Sequence, residues 1–114
     1  MENLNSSSWS DLGLSAEMLI DIERANYKSP TQVQSQTIPL IMQGHDVLAS
    51  SQTGSGKTAS FVIPAIERFK GKNGTYILAL SPTREIAQQT GAVFETFAAA
   101  HGMKVAVCIG GASL

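Results

Sequence analysis

The stretch "SQTGSGKT", residues 51–58, decides how the rest of the chain is read. It ends in Gly56-Lys57-Thr58, the last three positions of the spacing Gly, four residues, Gly-Lys-Ser/Thr. The first position of that spacing is Ser51, small but not glycine. Glycines at such a loop let backbone N–H groups converge on an anion with no Cβ in the way. A helix starting near Gly56 points the positive end of its dipole at the same anion. Lys57 then places a cation on the β and γ phosphates of a nucleotide, and the Thr58 hydroxyl ligates Mg²⁺. Thr53, Gly54, Ser55, Gly56, Lys57 and Thr58 are therefore the candidate phosphate-binding residues, with Lys57 and Thr58 the two that bear on catalysis. The competing reading is a glycine-rich turn that binds nothing. The loop by itself names no reaction.

Working outward, "DVLAS" (46–50) reads as a buried strand entering the loop, and 57–69 as the helix leaving it, kinked at Pro64. "KGKNG" (70–74) is a loop. "TYILAL" (75–80) reads as a second strand. A long helix follows from about Arg84 to Ala100, with Ile86, Thr90, Val93, Phe94, Phe97 and Ala98 on its inner face. "KVAVCIGG" (104–111) reads as a third strand. Upstream, Ser15 caps a helix whose apolar face is Met18, Leu19, Ile22 and Ala25, with Leu14 and Leu19 at staple spacing. Asn26, tolerant of the left-handed conformation, ends it. A second helix runs from about Thr31 to Met42. Thr31 and Gln34 have capping-box spacing, Pro39 kinks this helix or ends it early, and Gly44 turns the chain. The order helix, helix, strand, helix, strand, helix, strand predicts an α/β fold, a parallel sheet with flanking helices. The expected organisation is a loose N-terminus at 1–8, a helical segment at 9–45 and an α/β segment at 46–114.

Bulk properties narrow the function. The 114 residues suffice for one modest core, and 43% hydrophobic with 15% charged residues is ordinary for a globular domain. The formal net charge of −1 gives no global field for nucleic acid, so any such binding rests on local groups. The single Cys108 forms no internal disulfide and reads as a buried core thiol of a reducing compartment. The first residues, "MENLNSSSWSDL", lack the basic and apolar regions of a signal peptide, and no apolar run approaches the ~20 residues of a membrane span. The expected location is the cytoplasm.

The segment upstream of the loop, "NYKSPTQVQSQTIP" (26–39), supplies what the loop cannot. It resembles the Q motif of DEAD-box RNA helicases: glycine, aromatic, two variable residues, Pro-Thr, one variable residue, Ile or Val, then Gln. Tyr27, Pro30, Thr31, Val33 and Gln34 match, and Asn26 stands in the glycine position. An isolated aromatic 17 residues upstream also belongs to the pattern, here Trp9, where packing is the expected role. The resemblance implies that Gln34 reads adenine, with Tyr27 stacking on the base and Thr31 beside it. Gln carries a donor and an acceptor on one amide, which suits adenine N6 and N7. The plain alternative makes Gln34 a capping-box glutamine, and the two readings compete for one side chain.

Downstream, "SPTREIAQQ" (81–89) resembles motif Ia of the same family, with Ile86 for Leu, and Gly110-Gly111 match its glycine pair. The resemblance implies that Pro82, Thr83, Arg84, Gly110 and Gly111 touch the sugar-phosphate backbone of single-stranded RNA. Such contacts carry no sequence information, so shape rather than base identity would be recognised. Singly, Thr83 reads as a helix cap, Arg84 as a solvated side chain and the glycine pair as a turn. Together, four motifs in order over residues 9–111 imply an N-terminal part of a RecA-like P-loop NTPase domain that takes ATP or ADP with Mg²⁺ and, as part of a helicase, RNA.

The family's naming Asp-Glu-Ala-Asp segment does not occur; no aspartate is followed by glutamate anywhere in the 114 residues. The resemblance thus implies that this chain alone hydrolyses ATP poorly or not at all, since an arginine finger supplied by a second domain is itself worth ~10³ to 10⁵ in rate. Strands that would lie between the phosphate-loop strand and the motif Ia strand are also missing. Unpaired edges then predict self-association, instability or an arrangement unlike the complete domain. The alternatives are another P-loop NTPase, or a binding module without turnover. A demand for adenine over guanine separates the first from the helicase reading.

Overall fold

The computed structural model describes residues 8–45, 47, 56–70, 77–81 and 83–108. Among them run a 3-10 turn at Trp9–Asp11, α1 (Ala16–Arg24), α2 (Gln32–Met42), α3 (Lys57–Phe69), α4 (Arg84–Ala98) and a second 3-10 turn at Ala99–His101. No described helix is long and apolar enough to cross a membrane.

Each helix is bounded by local chemistry. The Ser15 hydroxyl accepts the Met18 N–H at 3.2 Å and starts α1. Asn26, at φ 65°, ends it. There the Tyr27 N–H reaches back to the Ile22 carbonyl at 3.2 Å and the Asn26 N–H to Glu23 at 3.0 Å. This 6→1 and 5→2 pair is the Schellman ending. Gly44 ends α2 with the same pair, Gly44 to Ile41 and His45 to Leu40. Gly102 ends the helical run of α4 likewise, through Gly102 to Ala99 and Met103 to Ala98. Thr31 and Gln34 form the expected capping box of α2. Pro39 does not end that helix: α2 continues three residues past it to Met42. α4 is regular only to Ala98, and the expected last turn is the 3-10 segment through His101.

The core sits where these helices meet. Met18 and Ile22 of α1, Ile38 of α2, Val62, Ile63 and Ile66 of α3, and Phe97 of α4 are all fully buried. α3 packs on both α2 and α4. Burial of each such side chain stabilises by roughly 1.5–3 kcal/mol. Trp9 is buried on this cluster and its indole N–H donates to the Tyr27 carbonyl at 3.0 Å, so its role is packing, as expected. Two polar ties lock α1 in place. Glu67 of α3 accepts the Ser15 N–H at 2.7 Å and pairs with Lys70 at 3.0 Å. His101 meets Asp21 at 2.7 Å, and both side chains are buried.

Several expectations change. No strand is formed among the described residues: 77–80 and 104–108 run without a ladder. Of the expected strand at 46–50 only Val47 is described, and 75, 76 and 109–111 lie outside the described residues. A helix satisfies its own backbone, but a strand needs a neighbour. Here residues 77–81 and 103–108 line a cleft of about 760 Å³ and carry no ladder. Cys108 is exposed on that cleft rather than buried in a core, because no sheet covers it among the described residues. Ile86, expected on the inner face of α4, is 41% exposed, while Phe97 and Ala98 hold that face at the other end of the helix.

Candidate nucleotide-binding site

The start of α3 differs from every other α-helix start described. α1, α2 and α4 begin with a hydroxyl accepting a backbone N–H, from Ser15, Thr31 and Thr83 respectively. α3 begins at Gly56, which is left-handed at φ 85° and has no side chain to cap it. The first N–H groups of a helix lack intrahelical acceptors. At α3 these are the amides of Lys57, Thr58 and Ala59, ahead of the first bond, from the Ser60 N–H to the Gly56 carbonyl at 3.2 Å. No side chain among the described residues caps them, and the positive end of the helix dipole lies behind them. Lys57 is exposed and Thr58 half-buried at this same point. Thr53, Gly54, Ser55 and the departing Ser51 lie outside the described residues.

The Q-motif helix reaches this start directly. Gln34 is buried, its carboxamide oxygen accepts the Thr31 N–H at 2.8 Å, and its Nε2 donates to the Gly56 carbonyl at 3.2 Å. A Cβ at Gly56 would lie 2.4 Å from Gln34 Nε2 and 3.2 Å from the Thr31 hydroxyl. Gly56 therefore needs to be glycine twice over, for its φ and for the closeness of α2. The two readings of Gln34 turn out not to exclude each other. Its oxygen serves the capping box with one lone pair and keeps another; its amide gives one N–H to Gly56 and keeps the second. The bonds made to described residues thus use one N–H and one lone pair of the carboxamide.

Tyr27 follows the α1 ending and is half-buried between Trp9, at 6.3 Å and tilted by 32°, and Phe97, edge-on at 5.8 Å. Aromatic pairs at such distances prefer these offset and edge-to-face arrangements. The candidate RNA residues are less assembled. Thr83 is exposed and its hydroxyl accepts the Ile86 N–H at 3.1 Å, so its own helix uses it as a cap. Arg84 is exposed beside it. Pro82, Gly110 and Gly111 lie outside the described residues. The contact that sequence reading did not specify is Gln34 to Gly56, between positions 22 apart; its only trace was a capping-box glutamine with amide hydrogens to spare.

An uncapped, glycine-led helix start is thus tied to a buried glutamine on the preceding helix. The sequence profile of the DEAD/DEAH box helicases matches residues 31–114, and the chain belongs to that family. It is 44% identical over 113 residues to the ATP-dependent RNA helicase DBP10 of Yarrowia lipolytica, covering 96% of this chain and 12% of that protein. It is 43% identical over 110 residues to the ATP-dependent RNA helicase has1 of Emericella nidulans, covering 92% of this chain and 18% of that one. The chain thus spans between an eighth and a fifth of these relatives. Its trace superposes on the RNA helicase Prp28 of Chaetomium thermophilum bound to ADP, with TM-score 0.85 and 34% identity over 99% of this chain and 29% of that chain. A DEAD box protein of Methanococcus jannaschii gives TM-score 0.74 and 38% identity over 79% of this chain and 25% of that chain. The course of the backbone is therefore that of a RecA-like helicase domain, although no strand ladder is present among the described residues.

Proposed function

We propose that the chain supplies the adenine-nucleotide site of an ATP-dependent RNA helicase. The observation that carries this is the hydrogen bond from Gln34 to the Gly56 carbonyl. It ties a buried amide to the one α-helix start among the described residues that no side chain caps. In this reading Gln34 pairs with adenine, Tyr27 and Thr31 flank the base, and the residues 53–58 loop cradles the phosphates. Lys57 neutralises the β and γ oxygens and Thr58 holds Mg²⁺. Pro82, Thr83, Arg84, Gly110 and Gly111 meet the RNA backbone, and residues 46–50, 75–80 and 104–111 are strands of one parallel sheet when their neighbours are present. Turnover and duplex opening belong to the assembled helicase, not to this chain by itself.

Equilibrium binding of fluorescent ADP and GDP tests the site. ADP with Mg²⁺ binds, GDP does not, and Gln34→Ala and Lys57→Ala each weaken ADP. Equal binding of ADP and GDP would remove the adenine reading and leave another P-loop NTPase. Absence of binding by a folded chain would remove the nucleotide site from it.

A further inference from the structure

Ser60 is the one polar residue of α3 that is buried, and it has no exposed surface at all. Ala59, Val62 and Ile63 beside it are apolar and buried. An alanine would fill such a place with nothing to satisfy, whereas a hydroxyl taken out of water is costly unless hydrogen-bonded. The Ser60 hydroxyl donates to the Lys57 carbonyl, one turn back. The plain reading is a buried serine satisfied by a nearby carbonyl of its own helix. The peptide unit to which that carbonyl belongs gives the bond a second consequence.

A peptide unit is planar and trans, so its C=O and N–H point in opposite directions. The Lys57 carbonyl and the Thr58 N–H belong to one such unit. A donor that fixes the carbonyl therefore fixes the N–H. The Thr58 N–H is among the first amides of α3, which lack intrahelical acceptors. The unit before it, the Gly56 carbonyl with the Lys57 N–H, is held in the same manner. There the carbonyl accepts the Ser60 N–H at 3.2 Å and Gln34 Nε2 at 3.2 Å. Two consecutive peptide units at this helix start are thus each gripped at the carbonyl by a side chain, one by Gln34 from α2 and one by Ser60 from within α3. Hydrogen bonds in series also polarise one another, so a carbonyl that accepts makes its own N–H a stronger donor.

We propose that Ser60 is a positioning residue for phosphate: it holds the Thr58 N–H toward the anion, as Gln34 holds the Lys57 N–H. This role rests on the nucleotide site proposed above. Ser60, having no exposed surface, touches no ligand itself and acts only through the peptide it holds. Its effect falls on the phosphate end and not on the base.

Ser60→Ala in the 114-residue chain tests this, because it removes one oxygen and leaves the backbone ladder of α3 intact. Without nucleotide, the Lys57 carbonyl ¹³C and Thr58 amide ¹⁵N resonances should shift. The helical melt should stay as in wild type, since the lost bond is largely offset by the better helix propensity of alanine. Affinity for fluorescent ADP with Mg²⁺ should fall about three- to tenfold, the worth of one hydrogen bond. Inorganic pyrophosphate, added as competitor, should weaken by the same factor, and the preference for ADP over GDP should persist. Resonances of 57 and 58 that do not move, ADP and pyrophosphate affinities equal to wild type, or a loss of the ADP preference would each overturn the proposal. A melt lowered enough to account for the lost affinity would make Ser60 a structural residue only and overturn it equally. A wild-type chain that binds neither ADP nor pyrophosphate would remove the nucleotide site and this role with it, whereas wild-type binding untouched by Ser60→Ala would remove the role alone.

Discussion

The helical cluster and the strand-forming segments obey different rules. Around Phe97 the helices close on themselves: Met18, Ile22, Ile38 and Ile63 are sealed, and hydroxyls cap three helix starts. At 77–81 and 103–108, equally apolar residues lie against an open cleft, with Leu78 and Leu80 in solvent. Hydrophobicity is alike in both regions. The backbone makes the difference, because helices pair their N–H and C=O groups within the segment and strands do so only across segments. The helical cluster should therefore unfold as a cooperative unit, and the strand segments should contribute little to its stability.

Phe97→Ala is the hardest test of that division. Phe97 is fully buried, meets Tyr27 edge-on and is the largest sealed side chain of the cluster. Its removal is expected to cost about 3–5 kcal/mol, enough to unfold a marginal domain. Thermal loss of the helical circular dichroism signal measures it. An unchanged melting temperature would mean that the cluster is not the stabilising unit.

Gly56→Ala comes next and acts where the cluster meets the open site. At φ 85° an L-residue is strained by roughly 1–2 kcal/mol, and the added Cβ would press on Gln34 Nε2. The expected outcome is a modest fall in stability and a complete loss of ADP binding, read by urea titration and fluorescence respectively. Retained ADP affinity would separate the phosphate site from Gln34.

The same division explains what the sequence disclosed. Ser15, Thr31, Asn26 and Gly44 announced their helix boundaries because caps and left-handed ends are chosen by a few adjacent residues. Gly56-Lys57-Thr58 announced an anion site for the same reason. The strand segments were recognisable by composition, yet whether they pair depends on distant chain. Cys108 was misplaced as buried because no ladder covers it among the described residues, and Ile86 was placed on a face of α4 that Phe97 and Ala98 hold at the other end of the helix. Pro39 was read as kinking α2 or ending it early; α2 carries it within the helix and runs to the expected Met42. The Gln34–Gly56 bond was out of reach of local reading, since it joins separate helices.

A smaller effect sharpens the comparison through pH. Burial opposes ionisation of Glu67, but the Ser15 N–H and Lys70 outweigh it and hold its carboxyl below the usual 4.5. A depressed folded-state value stabilises above the unfolded value, and that stability is lost as pH falls through the folded one. Acid below about pH 4.5 should therefore loosen α1 from α3, whereas Glu67→Gln, which keeps an acceptor for Ser15 and loses the charge, should flatten this part of the pH profile. At neutral pH the substitution should cost about 1 kcal/mol. Melts across the acid range check both. A profile identical to wild type would remove Glu67 from the linkage.

The smallest expected effect concerns Asn26. Three helix ends share one hydrogen-bond pattern; Gly44 and Gly102 hold two of them at φ 92° and 71°, and Asn26 holds the third at 65°. Asn26→Gly relieves local strain but gives the unfolded chain more freedom, so the net change should lie within about 0.5 kcal/mol. Asn26→Ala has the strain without asparagine's local hydrogen bonding and should cost about 1 kcal/mol. This turn aims Tyr27 between Trp9 and Phe97, so the alanine variant should also disturb the near-ultraviolet aromatic signal. Amide exchange at 77–81 should not respond to either change, because that segment draws nothing from the cluster. If it did respond, the two regions would be coupled, and the cleft would be an extension of the core.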